Sequence, residues 1–293
     1  MWLRNESCGI VLSVLIMLCM VMLSGCDSGD EVDEVKVNEW IGKQPINVGE
    51  PQNETTRLKD GRNISKGTTL MHFAAAEGRV DVMKWLKKQG EIVNPKDDMG
   101  FTPIHSAAGF GQLEAMKWLK KEGANINDKS DPEKIVPILL AVGSGNLDAV
   151  KWLKQQGANI NCRGSLRDYS PLQIATQVAI QRGTVPDLEM VKLLIKLGAD
   201  VNADCTIHFF IDNFPNLEMV KFLIKHGGNV NHKDDSGTTP MLLAAKRKNL
   251  EMMKLLKLHG ADINTKNNYG HTPIGESNIE IREWLKANGA KDE

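Results

Sequence analysis

Beyond residue 60 the apolar and polar positions of this chain follow a helical rhythm that is itself repeated. Met83-Lys-Trp-Leu-Lys-Lys88 returns as Met116-Lys-Trp-Leu-Lys-Lys121 and Val150-Lys-Trp-Leu-Lys-Gln155, with shorter copies at Val191-Lys-Leu-Leu, Val220-Lys-Phe-Leu and Met253-Lys-Leu-Leu. Each copy predicts a helix that starts near Leu113 or its equivalents Leu147, Leu188, Leu217 and Leu250 and buries its aliphatic and Trp positions. A glycine follows each copy, at 90, 123, 157, 198, 227 and 260, and another at 289 follows Trp284-Leu285, in steps of 33, 34, 41, 29, 33 and 29 residues. Glycine there permits the left-handed backbone that ends a helix. Ahead of these helices lies a second apolar stretch, clearest in Gly100-Phe-Thr-Pro-Ile-His-Ser-Ala-Ala108. Its threonine is placed to cap a helix and its proline sits in the first turn, where the missing N–H costs nothing. The alanine pair keeps one helix face thin. The predicted unit is helix, turn, helix and a turn-rich finger such as Lys233-Asp-Asp-Ser-Gly237. No single unit can bury its apolar face, so the units must stack.

The period near 33 residues and the G-x-T-P-L-H-x-A-A pattern resemble ankyrin repeats. Residues 100–108 carry the pattern, with relatives in Gly67-Thr-Thr-Leu-Met-His-Phe-Ala-Ala75, Gly237-Thr-Thr-Pro-Met-Leu-Leu-Ala-Ala245 and Gly270-His-Thr-Pro-Ile274. The finger sequence recurs as Gly123-Ala-Asn-Ile-Asn127, Gly157-Ala-Asn-Ile-Asn161, Gly198-Ala-Asp-Val-Asn202 and Gly260-Ala-Asp-Ile-Asn264. The resemblance covers about residues 61–290 and implies an all-α ankyrin-repeat solenoid of about seven helix-turn-helix units within a domain of residues 61–293. The units fall at about 67–99, 100–133, 134–167, 168–204, 205–236, 237–269 and 270–290. Three depart from the pattern. The fourth holds about seven extra residues between its helices, within Gln177–Pro186; the fifth has Ile207-His-Phe-Phe-Ile211 in place of the signature; the last has a shortened first helix and serves as a C-terminal cap. Gly61-Arg-Asn-Ile64 resembles a half finger, so a partial N-terminal cap starts near residue 50.

The N-terminus breaks this rhythm. Ile10–Leu23 is a mostly apolar run preceded by Arg4, shorter than the roughly 20 residues a spanning helix needs and close in length to a signal-peptide core. Leu23-Ser24-Gly25-Cys26 then resembles the lipobox of bacterial lipoproteins. That resemblance implies a signal peptide of residues 1–25, cleavage before Cys26 and acylation of Cys26. Several acyl chains on one residue anchor a protein stably, where a single chain binds marginally. Asp27 resembles the signal that retains enterobacterial lipoproteins in the inner membrane, facing the periplasm; the outer membrane is the alternative. Residues 26–60, acidic at Asp30, Glu31, Asp33 and Glu34, read as a flexible tether that would hold the solenoid roughly 30 Å from the bilayer.

Composition narrows the classes of function. Charged residues make up 25% and the net charge is −1, unchanged when Arg4 and Glu6 leave with the leader, so the basic footprint of a nucleic-acid binder is missing. With two tyrosines and seven phenylalanines the chain also lacks stacking platforms for single strands. Of five cysteines, Cys8 and Cys19 leave with the leader and Cys26 is lipidated; Cys162 and Cys205 either pair or stay free.

The remaining chemistry resolves into repeat architecture. His72 and His105 occupy the signature position that, in ankyrin repeats, hydrogen-bonds backbone between neighbouring units. His226 and His259 precede terminal glycines, where a cation meets the helix dipole. With His232 they do not make a tight metal-ligand spacing, so no metal is expected. Lys84, Lys117, Lys151, Lys192, Lys221 and Lys254 form one register row that could press on anionic lipid, but each has an acid three residues earlier, from Asp81 to Glu251. A solvated, neutralised face is the better reading. Trp85, Trp118, Trp152 and Trp284 stand where the family has leucine and read as core. No phosphate loop, nucleophile elbow or zinc helix occurs, so neither enzyme activity nor a cofactor is expected.

The line after the signature histidine, Phe73, Ser106, Leu140, Ile174 and Leu243, is the side that in the family approaches the concave groove. Together with finger residues Asp98, Arg163, Arg167, Asp235 and Tyr269 it forms the candidate partner-binding surface. The expected function is a membrane-anchored scaffold binding an envelope or periplasmic protein. The alternatives are an immunity or inhibitor protein that neutralises an envelope-acting toxin, and an envelope-glycan binder.

Overall fold

A computed structural model describes residues 34–41, 43–44, 56–57, 63–64, 66–132, 134–164, 168–182 and 187–291. The leader, Cys26, Asp27 and Arg167 lie outside the described residues. The chain divides into two compact units after Ala175.

The N-terminal unit begins with helix α1 (Glu34–Ile41) and a two-residue antiparallel pair, β1 (Thr56–Arg57) with β2 (Asn63–Ile64). Three helix pairs follow: α2 (Leu70–Ala76) with α3 (Val80–Lys88), α4 (Pro103–Gly109) with α5 (Leu113–Lys121), and α6 (Pro137–Gly143) with α7 (Leu147–Gln155). First helices pack on first helices (α2 on α4, α4 on α6), and second helices stack likewise (α3 on α5, α5 on α7). Helix α8 (Pro171–Arg182) spans the division. In the C-terminal unit α9 (Leu188–Lys196) precedes a 3-10 turn (Ala203–Cys205), the pairs α10 (Thr206–Asp212) with α11 (Leu217–Lys225) and α12 (Pro240–Lys246) with α13 (Leu250–Leu258), and the final α14 (Ile279–Ala287). The arrangement is an ankyrin-type helical solenoid.

The helix boundaries follow from caps. Thr69, Thr102 and Thr239 take extended backbone and open α2, α4 and α12. In the first two, His72 and His105 complete a capping box: Nδ1 of each accepts the backbone N–H of its threonine at 3.2 and 3.1 Å. The second helices are capped by residues that the sequence pattern does not single out. Asn146, Asn216, Asn249 and Asn278 each accept the backbone N–H three residues on, at 2.9 to 3.0 Å, as Asp187 does for Met190 at 3.1 Å. Each such cap is worth about 1 kcal/mol.

The core is the repeated sequence made solid. Met83 and Leu86, Met116 and Leu119, and Val150 and Leu153 are fully buried, as are Val191 and Leu194, Val220 and Leu223, and Met253 and Leu256. The alanine pairs 74–75, 107–108 and 244–245 are also fully buried, which lets first helices approach closely. Asparagines then tie repeat to repeat. The Asn231 amide donates to Gly260 O at 3.0 Å while its oxygen accepts the Asp262 N–H at 2.8 Å, and Asn202 and Asn264 bridge to Gly227 and Asn229 and to Gly289 and Lys291 in the same way. Gly100 marks a close approach of one finger to the next. Its φ is +72°, and a Cβ there would meet the Asp131 amide nitrogen at 2.8 Å.

Four features depart from the sequence expectation. Five of the extra residues of the fourth repeat lengthen its first helix: α8 has 12 residues where α2, α4 and α6 have seven. The degenerate fifth repeat keeps a regular first helix in α10, with Ile207 to Ile211 all buried. The Trp row is half-buried, where full core burial was expected. Finally, the stretch expected to be tether contains α1, which buries Val37 completely and leaves Trp40 only 6% exposed. The Trp40 indole N–H donates to Glu77 Oε2 at 2.5 Å, and the Arg79 guanidinium lies 5.9 Å from its ring centre. The expected shortened last repeat is observed: residues 273–276 form turns only, and Thr272 Oγ1 accepts the Gly275 N–H.

Candidate partner-binding surface

The fingers are small rigid hairpins, built alike in both units. Asp97 Oδ1 accepts the N–H groups of Met99 and Phe101 at 3.0 and 2.8 Å, and Asp97 N–H donates to Phe101 O at 2.9 Å. Asp234 does the same for Ser236 and Thr238, and Asn267 for Tyr269 and His271. Burial works against ionisation of Asp234, but hydrogen bonds from Ser236 and Thr238 hold its carboxyl below the usual range. Neighbouring fingers are zipped by single backbone bonds, Asp131 N–H to Met99 O at 2.8 Å and Asn268 N–H to Ser236 O at 2.9 Å. Asp97 and Asp234 therefore fold the fingers.

What the tips display is smaller than expected. Asp98 and Asp235 are exposed, Asp98 within 3.8 Å of Lys66, and Tyr269 is 73% exposed. Arg163 is exposed, but its guanidinium donates to Asp168 O at 3.0 Å and so closes its own finger. Among the first-helix residues, Phe73 and Leu140 are 7% and 8% exposed. Packing consumes their side chains, and they offer a partner little area. Ser106 and Ile174 in the N-terminal unit and Leu243 in the C-terminal unit are half-buried.

The histidines hold units together. His72 Nδ1 accepts from Thr69, so Nε2 carries the proton and donates to Phe101 O at 3.1 Å; His105 Nε2 likewise faces Asp128 O and Ile135 O, both at 3.1 Å. Burial pushes both imidazoles down to about 4. Sequence reading missed a third member, His208, whose Nε2 lies 2.8 Å from Thr238 O. The signal was available: Cys205-Thr-Ile-His208 keeps the spacing of Thr102-Pro-Ile-His105, with cysteine in place of the capping threonine. Cys205 takes φ +53°, and His208 Nδ1 is left buried without a partner. Cys162 and Cys205 are both free thiols; burial pushes Cys162 up to about 11, and burial with Asp234, Asp235 and Asp204 raises Cys205. His226 and His259 cap the ends of α11 and α13 as expected. Among the described residues, no three His, Cys, Asp or Glu side chains are grouped to hold a metal ion.

The expected charge pairing is present. Lys117–Glu114, Lys151–Asp148, Lys192–Glu189, Lys221–Glu218 and Lys254–Glu251 are ion pairs of 2.6 to 2.9 Å. Asp81 instead pairs with Arg79 at 2.7 Å.

Comparison with known proteins agrees with this geometry. The profile of ankyrin repeats in three copies matches residues 48–130 and 207–291, and that of the single ankyrin repeat matches 135–165 and 167–205. The chain belongs to the ankyrin-repeat family. Ankyrin repeats are protein–protein interaction scaffolds and are generally non-enzymatic. Among solved structures, the human ASB11 ankyrin repeat domain is 22% identical over 77% of this chain and all of its own, with a TM-score of 0.58. The ankyrin repeat domain of Bcl-3, a member of the IkappaB protein family, is 22% identical over 75% of this chain and 99% of its own, with a TM-score of 0.62. At that identity the likeness shows the fold. A search of curated proteins found no match.

Proposed function

We propose that this chain is a lipid-anchored scaffold that captures an envelope protein through its finger tips and the half-buried first-helix residues beside them. The observation that carries the reading is Tyr269, an aromatic 73% exposed on a tip whose backbone is fixed by Asn267. A large side chain presented by a rigid hairpin loses little entropy on binding, and Tyr is among the residues that dominate interface energetics. Asp235 would supply polar contacts beside such an anchor in the C-terminal unit and Asp98 on the fingers of the N-terminal unit, with Ser106, Ile174 and Leu243 as the floor in their respective units. Acylation at Cys26 supplies the anchor, and Asp27 favours the periplasmic face of the inner membrane. With α1 folded against the first repeat, eight residues, 26–33, separate the proposed anchor from the fold. The partner is thus sought close to the membrane.

In-cell photocrosslinking from position 269 tests this. One protein should be captured, and Tyr269→Ala combined with Asp235→Lys should cut its yield by about tenfold, the effect of losing one hot spot, with an unchanged unfolding midpoint. Capture that ignores both substitutions would refute the finger-tip assignment.

A further inference from the structure

We infer that the second-helix face of the N-terminal unit, formed by α3, α5 and α7, rests on the anionic headgroups of the bilayer that carries the anchor. This builds on the anchored reading and adds which face meets the membrane.

The first observation is the tryptophan row. Trp85, Trp118 and Trp152 share one register position on three second helices that stack in order, and all three are half-buried. The core does not require indoles there. At the same position in the C-terminal unit Leu193 and Phe222 are half-buried and Leu255 is buried, so a smaller side chain fills the space; only the last helix repeats the indole there, at half-buried Trp284. An indole that presents part of an amphipathic ring beside charged residues is suited to the headgroup layer, where Trp concentrates at membrane interfaces.

The second observation is charge. Helices α3 and α5 each carry three lysines against one acid, and α7 two against one, eight lysines to three acids in a chain whose net charge is −1. The ion pairs Lys117–Glu114, Lys151–Asp148 and Lys87–Glu122, the last to the residue that ends α5, occupy one lysine on each helix, and with Glu122 counted the row still holds eight lysines to four acids. The last turns of α3 and α5 each hold a lysine pair, 87–88 and 120–121, alongside the Trp positions. Each basic residue at an anionic surface contributes about 1 kcal/mol.

The third is reach. Trp40 fixes α1 to Glu77 and Arg79, and Arg79 is the residue that opens α3. An eight-residue helix is about 12 Å long, and Cys26 is eight residues beyond it. The anchor therefore leaves the fold beside the first helix of the basic, Trp-bearing row.

The test uses the full chain, inserted through its own anchor into vesicles of phosphatidylcholine, alone or with anionic phosphatidylglycerol, whose acyl chains are brominated. Flotation scores anchoring, and quenching of tryptophan fluorescence scores docking. In anionic vesicles quenching should be about twofold stronger than in neutral ones, and should fall to the neutral level in 0.5 M salt, where surface attraction is screened. Lys88→Glu with Lys121→Glu should do the same, and Trp85→Phe, Trp118→Phe and Trp152→Phe together should remove the difference. Equal quenching in both vesicles by a chain that floats overturns the docking alone. A chain that floats with neither overturns the anchor and the docking together.

Discussion

His72 and His105 are the residues whose chemistry reaches furthest into stability. Burial holds both near 4 in the fold, below the 6.5 of an exposed imidazole. A lowered histidine favours the neutral, folded form, so its stabilisation is complete above pH 6.5 and is lost as pH falls toward 4. At pH 5 each should cost about 2 kcal/mol. Carboxylates held low, such as Asp234, lose their contribution only at lower pH, so the loss between pH 6.5 and 5 belongs to histidine. Urea midpoints at pH 7.5 and 5 should show this fall, and His72→Gln with His105→Gln should flatten it; an unaltered slope would remove these residues from the account. Glycines give a second contrast at this scale. Gly100→Ala and Gly123→Ala both force alanine to positive φ, but only Gly100 faces a neighbouring backbone within 4 Å. Gly123→Ala should cost about 1 kcal/mol and Gly100→Ala about 2–3 kcal/mol by denaturant titration.

Among the elements, α1 is the one most open to a single substitution. It holds its place through Val37 and Trp40, and Trp40 reaches both Glu77 and Arg79. A buried Trp→Ala change costs about 3–5 kcal/mol, more than an eight-residue helix can recover elsewhere. Trp40→Ala should therefore release α1, seen as loss of amide protection in residues 34–41 with α4 to α7 unchanged; protection retained would show that Trp40 is dispensable. The same reasoning explains which elements were legible. Paired helices announce themselves through a pattern repeated seven times, so the helix starts at Leu113, Leu147, Leu188, Leu217 and Leu250 are observed as read. Helix α1 occurs once, with two buried residues in eight, and sequence alone gives such a segment no advantage over a polar tether. The fifth repeat shows the converse: the spacing of Cys205 to His208 preserved a helix and its bond to Thr238 although the signature around it had changed.

At the scale of the molecule, the repeat that makes the fold readable is also what conceals the site. The units keep buried apolar residues at fixed positions, and several keep an alanine pair or an asparagine bridge, whereas a partner reads only what varies on the tips. Position in the repeat placed Phe73 and Leu140 on a binding line, and only their burial shows that packing uses them. The anchor is the opposite case, a feature outside the repeat that rests on Leu23-Ser-Gly-Cys26 and its apolar preface. Among the described residues no helix is long and apolar enough to cross a membrane; the anchored reading places attachment at Cys26. Metabolic fatty-acid labelling should mark the chain, and Cys26→Ser should abolish the label and leave the protein in the leader-bearing form. Label that survives the substitution would dismiss lipidation at Cys26. Tether length then separates attachment from position. Twenty flexible residues inserted after Asp27 should leave acylation intact but add about 25 Å of reach, so labelling should persist while crosslinking to a membrane-proximal partner declines. Undiminished crosslinking would place the partner free in the periplasm.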